Sequence, residues 1–133
     1  MEDAAEKKRQ ILSTLKAKYR LVDNLMVFTK EMGKVVEIND LESLGAVLIM
    51  RRETMEKIDY QNSEISKVLN EMDQSDKEKI KRILESKCGP EEIEEPLEKD
   101  MYDTNKATLA LLEKIVILDE EINTRIRQQA VPD

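Results

Sequence analysis

The stretch Ile38-Asn39-Asp40-Leu41-Glu42-Ser43-Leu44 decides the fold, because it separates two long runs of regularly spaced apolar residues. Asn39 and Asp40 both carry a short side-chain oxygen, which can accept a hydrogen bond from a free N–H group in the first turn of a helix. One of them is therefore expected to begin a new helix directly after the first helix ends. A connection this short places two helices side by side in opposite directions. The stretch predicts a long antiparallel helical hairpin.

The two arms of the hairpin are predicted to be helices over residues 4–38 and 40–73. In the second arm, apolar residues recur at alternating steps of three and four, which keeps them on one side of a helix. Arg51 and Asn62 interrupt this series. A polar residue at such a position either fixes the register of packed helices or lies at the edge of the series with its polar end in water. The series is Leu41, Leu44, Leu48, Arg51, Met55, Ile58, Asn62, Ile65, Leu69 and Met72.

A short helix is predicted over residues 76–87, after a polar interruption of the apolar pattern. Ser75 and Glu78 have the spacing of a capping box, in which the serine caps the helix and the glutamate reaches back to it. Gly89 suits the left-handed position that ends many helices, and Pro90 cannot continue one. The alternative is that the second long helix continues through residue 75 without a break.

The last helix is predicted over residues 96–128, because Pro96 suits a first helical turn and apolar residues then recur at steps of three and four. Aromatic residues make up only 3% of the 133 residues, with 3 Gly and 3 Pro, whereas β-rich domains need turns and aromatic pairs. The sequence therefore predicts a single all-α domain. A long antiparallel hairpin, a short helix and a long C-terminal helix would form an elongated three- to four-helix bundle or coiled coil.

The composition argues against an enzyme. There is no histidine, which removes the commonest general base and the commonest metal ligand. Cys88 is the only cysteine, so neither an intramolecular disulfide nor a Cys–His nucleophile can form. Gly33, Gly45 and Gly89 are isolated and build no phosphate-binding loop. The glutamates in residues 91–95 lack the alternating ligands and central glycine of a calcium loop. Neither catalysis nor a metal or other cofactor is expected.

The charge of the chain is acidic and uneven. The net charge is -7, and residues 73–133 contain 16 acidic against 10 basic residues. Such an excess argues against nucleic acid and anionic membranes as partners. The apolar runs are too short for membrane insertion, and the first nine residues lack the apolar core of a signal peptide. A cytoplasmic protein is predicted.

Residues around the hairpin turn follow a definite order. A leucine-rich first helix with a Leu-Thr-like step precedes a turn formed by a small residue and Asp, a Leu-x-x-Leu step and a second helix with turns rich in Glu and Arg. The residues are Tyr19, Leu25, Phe28-Thr29, Asn39 to Leu44, Leu48, Arg51-Arg52, Met55 and Ile58-Asp59. In this order they resemble the FlgN/FliT-type flagellar type III export chaperones, over about half of the chain. The turn has Asn-Asp where many relatives have Gly-Asp, and the two branches of the family are not distinguished.

The resemblance implies a small, acidic, helical and cytoplasmic chaperone without catalysis or cofactor. Its client would be a flagellar export substrate, such as a hook-associated, cap or filament protein. Binding to the client's C-terminal helix would keep that substrate competent for type III secretion. The resemblance is also compatible with a contact to the export apparatus and with a homodimer.

The last helix carries the apolar residues predicted to bind such a client. An amphipathic client helix needs an apolar groove, and the stripe on the last helix is wider than one neighbouring helix requires. The residues expected to form or cover the client surface are Leu111, Leu112, Ile115, Leu118, Ile122 and Ile126. The alternative is that this helix completes a three-helix bundle. The alternative function is a self-associating coiled-coil scaffold or adaptor that takes no client.

Overall fold

The computed structural model describes residues 4–130 and confirms the all-α prediction. No β-strand occurs between residues 4 and 130. The elements are α1 (Ala4–Glu37), α2 (Leu41–Asn70), α3 (Gln74–Leu84), a 3-10 turn (Pro90–Glu92) and α4 (Pro96–Ala130).

The three long helices form a bundle in which α1 packs along both α2 and α4. Helices α2 and α4 approach each other less closely. Lys8, near the start of α1, pairs with Glu95, which directly precedes α4, and Gln129 near the end of α4 donates to the carbonyl of Val36. Helix α4 therefore runs parallel to α1, and α2 runs antiparallel to both.

The hairpin turn combines the end of α1 with the start of α2. Asn39 has a φ of 58°, in the left-handed region that asparagine tolerates, and the Asp40 N–H donates back to the Val35 carbonyl at 2.9 Å. The Asp40 carboxylate accepts from the Ser43 hydroxyl at 2.6 Å and from its N–H at 3.1 Å. These bonds lower the pKa of Asp40, the hydroxyl contributing most. Of the two candidate caps, Asn39 ends α1 and Asp40 begins α2.

The chain does break between α2 and α3, but the predicted cap is wrong. Asp73 caps α3 by accepting from the Asp76 N–H at 2.9 Å, and Ser75 lies inside the first turn. Because the capping carboxylate lies two positions earlier and accepts from the Asp76 N–H, α3 begins at Gln74 rather than at residue 76.

The end of α3 also differs from the prediction. Ser86 has a φ of 60°, whereas Gly89 has a φ of -89°. The Lys87 N–H donates back to the Arg82 carbonyl at 2.8 Å, which closes the helix one turn before the glycine. Gly89 therefore lies in the connector and does not need its conformational freedom to end the helix.

The core follows α1 in three clusters. The basal cluster, where α3 closes the bundle, contains Ile11, Leu12, Leu15, Ile65, Leu69, Ile80, Ile83, Ile93 and Met101. The central cluster contains Val22, Leu25, Ile58 and Ile115. The distal cluster near the hairpin turn contains Met32, Val36, Val47 and Ile122. The last two clusters join α1, α2 and α4 directly, so the bundle holds together without α3 over most of its length.

Candidate protein-binding groove

The six residues of α4 predicted to bind a client lie on its core-facing side. Ile115 is 3% exposed and Ile122 is 1% exposed, so neither is accessible in this structure. Leu111 and Leu112 are half-buried against the central cluster, and Leu118 and Ile126 against the distal cluster. In this structure the apolar stripe of α4 packs against α1 and α2 and completes the bundle, which is the alternative to client binding that the sequence left open. That these residues cover a client surface stays a prediction, since a client reaches Ile115 only if α4 moves.

Other apolar side chains remain exposed on both helices that flank α1. Leu48 and Met55 on α2 are 45% and 48% exposed, and Leu109 and Val116 on α4 are 41% and 55% exposed. Leu48 and Met55 belong to the series predicted to pack within the hairpin. In the first half of α2 the buried positions are one residue earlier, at Val47 and Thr54, whereas Ile58, Ile65 and Leu69 of the predicted series are buried. The predicted seam is thus correct from Ile58 to Leu69, and before Ile58 it is rotated by one residue, so that Leu48 and Met55 face outward.

An ion pair between α2 and α4 shows that these side chains border one groove. The Arg51 guanidinium donates from Nη2 to the two carboxylate oxygens of Asp119 at 2.7 and 2.9 Å. Leu48 precedes Arg51 by three residues and Met55 follows it by four, so both lie on the same side of α2 as Arg51. Val116 precedes Asp119 by three residues and lies on the same side of α4. We call the surface between these two rows the α2/α4 groove.

Arg51 is held at the floor of the α2/α4 groove. Its side chain is 14% exposed and reaches α4, instead of pointing outward into water as one alternative predicted. Nη1 lies 3.5 Å from the sulfur of Met32, and the buried Nε has no hydrogen-bond partner. The structure therefore favours the other alternative, in which the polar residue fixes the register of the packed helices. Asn62, by contrast, is exposed at the edge of α2.

The rim of the groove is mostly acidic. Each of the four exposed apolar residues is followed four positions later, one helical turn on, by an exposed charged residue. These residues are Arg52 after Leu48, Asp59 after Met55, Glu113 after Leu109 and Glu120 after Val116. Lys106, three positions before Leu109, is also exposed, so three negative and two positive charges border the apolar strip, which suits a partner with basic residues beside its apolar face.

Toward α3 the groove opens into a cleft of about 260 Å³ whose lining is partly polar and partly apolar. The cleft is lined by Leu15 and Lys18 of α1, by Asn62 and Ser66 of α2 and by Asn105 and Leu109 of α4, among others. We call this region the Lys18 cleft. Leu109 borders both regions, and Asn62 follows Met55 by seven residues on the same side of α2, so the apolar groove and the cleft are continuous.

Sequence reasoning missed Lys18, although the signal is present. Buried residues of α1 recur at steps of four and three, and position 18 belongs to that series. The series is Ile11, Leu15, Lys18, Val22, Leu25, Thr29, Met32 and Val36, and of its polar members only Lys18 is charged. Thr29 donates its hydroxyl to the Leu25 carbonyl at 2.7 Å, whereas the lysine has no such local acceptor.

A second polar cluster joins the base of α1 to α4. The buried Lys8 ammonium lies 2.8 Å from the Glu95 carboxylate and 3.4 Å from Glu98 Oε1, with Lys79 at 3.9 Å from the same Glu98 oxygen. Glu98 Oε1 has charged neighbours but makes no hydrogen bond of normal geometry. Burial lowers the pKa of Lys8, but the bond to Glu95 and the charge of Glu98 outweigh that effect and raise it. The cluster is an internal ion-pair network that fixes the start of α4.

Cys88 is half-buried in the connector between α3 and α4. Burial, followed by the charge of Glu92, raises the pKa of the half-buried Cys88 thiol, which disfavours the nucleophilic thiolate. Between residues 4 and 130, no group of three or more Cys, Asp or Glu side chains is arranged to hold a metal ion. None of the helices described is both long enough and apolar enough to cross a membrane.

Comparison of the chain with protein-family models, curated proteins and solved structures found no match.

Proposed function

We propose that this protein is a flagellar export chaperone that binds an amphipathic helix of its client along the α2/α4 groove. The observation that carries the proposal is the pair of exposed apolar rows, Leu48 with Met55 and Leu109 with Val116, on two helices joined by an ion pair. Water-exposed apolar side chains on both sides of a shared groove are the feature that helix-in-groove recognition uses. The protein would act by binding alone.

The dimensions of the groove suit a short helix. Leu41, which is 73% exposed, precedes Leu48 by seven residues and extends the apolar row of α2 toward the hairpin turn. From Leu41 to Met55 the row spans fourteen residues, or about 21 Å at 1.5 Å per residue. A client helix of about four turns would cover that length. Its apolar face would contact both rows, and basic residues beside that face would meet the acidic rim.

The flagellar client is proposed from the resemblance around the Asn39-Asp40 turn. That resemblance supplies the class of client, a hook-associated, cap or filament protein with a C-terminal helix, and a cytoplasmic location. The groove supports a different part of the proposal, namely that the protein has a surface able to hold a helix. The client-binding residues proposed here therefore move from the buried stripe of α4 to the exposed edges of α2 and α4.

Photo-crosslinking in flagellated cells tests the proposal, with a photoreactive phenylalanine at Met55 or Val116. The chain provides matched controls, since Ile49 is 48% exposed on another side of α2 and Ile117 is 52% exposed on another side of α4. Crosslinks from Met55 and Val116, but not from Ile49 and Ile117, to a flagellar axial protein are expected. Equal crosslinking from all four positions would show that the client does not bind specifically in the α2/α4 groove.

A second experiment measures affinity and tests self-association. Met55→Glu and Val116→Glu place a charge in the apolar strip and should each weaken client binding at least tenfold. Ile49→Glu should leave it unchanged, and circular dichroism should show equal helicity for all three variants because these positions are exposed. If the only crosslinked product is a dimer of this chain, the self-associating scaffold replaces the chaperone.

A further inference from the structure

Lys18 is a charged residue at a position that faces the core. The residues three before it and four after it, Leu15 and Val22, are buried, as are those seven positions to either side, Ile11 and Leu25. Residues with these spacings share one side of a helix, so the aliphatic part of Lys18 follows the same side. A charge at such a position is costly unless a counter-ion or water compensates it.

Nothing within the described residues neutralises Lys18. Its ammonium makes no hydrogen bond or ion pair with residues 4–130. Glu85 also lines the cleft, but its carboxylate pairs with Lys87 at 2.8 Å, and Lys81 adds a second positive charge at the same cleft. Burial without a counter-ion lowers the pKa of Lys18. The cleft therefore presents a partly desolvated cation.

The polar groups around Lys18 suit a single carboxylate. Asn105 is buried and its side-chain Nδ2 donates to the Leu84 carbonyl at 3.1 Å, which fixes the orientation of that amide. Asn62 and Ser66 are exposed at the α2 edge and add an amide and a hydroxyl, groups that can donate to an anion. Lys18, with these neutral donors beside it and the charge of Lys81 at the same cleft, can bind an acidic side chain through charge-assisted hydrogen bonds.

We propose that Lys18 binds an aspartate or glutamate of the partner helix, which enters the cleft while the helix's apolar face fills the α2/α4 groove. This inference rests on the proposed function, because it takes the groove to hold a helix. Asn62 lies seven residues beyond Met55, so the acidic residue lies about 10 Å, or two helical turns, from the partner residue that contacts Met55. The Lys18 cleft thus sets which helices bind and in which register.

Selection from a displayed library of amphipathic helices tests the inference without any flagellar sequence. The library has a fixed leucine stripe, with Glu, Gln or Lys allowed at the positions two turns beyond either end. Selection on the full-length protein is expected to enrich Glu at one end only. Selection on Lys18→Met should lose that enrichment, whereas selection on Lys81→Met should keep it. If no helix is enriched, or if the same residues are enriched on Lys18→Met, the inference is wrong.

The best selected helix, made as a peptide, then gives the affinity. Lys18→Met should weaken its binding about tenfold, and Lys18→Glu should weaken it further. Exchanging the peptide's Glu for Lys should restore binding to Lys18→Glu, which a merely structural role of Lys18 would not produce. Unchanged or tighter binding by Lys18→Met would show that the Lys18 ammonium stays in water and does not contact a carboxylate of the peptide. The inference would then be wrong. Because these peptides contain no flagellar sequence, failure to capture a flagellar client would refute the proposed function alone.

Discussion

Asp119→Ala removes the only carboxylate that neutralises Arg51 at the floor of the α2/α4 groove, among residues 4–130. The side chain of Arg51 is 14% exposed and that of Asp119 is 29% exposed, so the pair is mostly but not fully withdrawn from water. Removing one member of a fully buried pair costs about 3–5 kcal/mol, because the other charge is left without compensation. Since water reaches part of this pair, we expect Asp119→Ala to cost about 2 kcal/mol.

Replacing Arg51 should destabilise the protein less than replacing Asp119. Arg51→Met leaves a carboxylate that is better hydrated than the guanidinium, and it also removes the unsatisfied Nε. We therefore expect Arg51→Met to cost at most about 1 kcal/mol. The variant with both changes should be more stable than Asp119→Ala alone, because it buries no unpaired charge. With an unfolding entropy of about 2.1 cal/mol/K per residue, 2 kcal/mol corresponds to about 7 °C in Tm.

Urea denaturation followed by circular dichroism measures these differences. Arg9→Met serves as the control, because the Arg9–Glu6 pair has side chains that are 55% and 48% exposed. Such a surface pair should contribute less than about 1 kcal/mol. The reasoning is refuted if the effects of Arg51→Met and Asp119→Ala are additive, or if Arg51→Met is the more damaging change. A change in the slope of the denaturation curve would point to an altered unfolded state instead.

Three other changes test the local physics. Gly45→Ala should raise the free energy of unfolding by about 1 kcal/mol, because the added methyl meets nothing within 4 Å; an unchanged urea midpoint contradicts this. Asp40→Ala should lower Tm at neutral pH, and the difference should shrink below about pH 3.8, since a carboxylate with a lowered pKa stabilises the fold only while ionised; a pH-independent difference contradicts this. Lys8→Ala should cost about 2 kcal/mol in urea denaturation, because among the described residues the buried Glu98 then keeps only the more distant Lys79 at 3.9 Å as a counter-ion, and a loss below about 1 kcal/mol contradicts this.

The helices and the hairpin turn could be predicted because their signals are local. Asn39 and Asp40 are adjacent residues that can each end or begin a helix, and no tertiary contact is needed to recognise them. The break before α3 was harder to place, because Asp73, Ser75 and Asp76 can all cap a helix. Asp73 does so by accepting from the Asp76 N–H, and the spacing of Ser75 and Glu78 does not distinguish it from the other two candidates.

The candidate site could not be predicted in the same way, because periodicity shows a stripe but not its neighbours. On α4 the series through Ile115 and Ile122 is the more apolar and is buried, whereas Leu109 and Val116 are exposed at its edge. On α2 the predicted seam included Met55, which borders the groove. The direction in which each apolar stripe faces depends on the packing of the three long helices. Helix α1 packs against both α2 and α4, whereas α2 and α4 approach each other less closely. That arrangement is tertiary and leaves no mark in the sequence of one helix.

Arg51 and Lys18 bring these observations together, because each places a charge where a bundle would gain stability from an apolar residue. With an apolar side chain at both positions, α2 and α4 could close over the central cluster and bury Leu48 and Met55. The groove would then be lost, although the free energy of unfolding would rise. A binding surface that keeps charges in its floor trades stability for function. We therefore expect Arg51→Leu combined with Lys18→Leu and Asp119→Leu to fold with a higher Tm and to bind the selected helix at least tenfold more weakly than Lys18→Leu alone does. A variant that gains stability and retains that helix would show that the two charges do not keep the groove open.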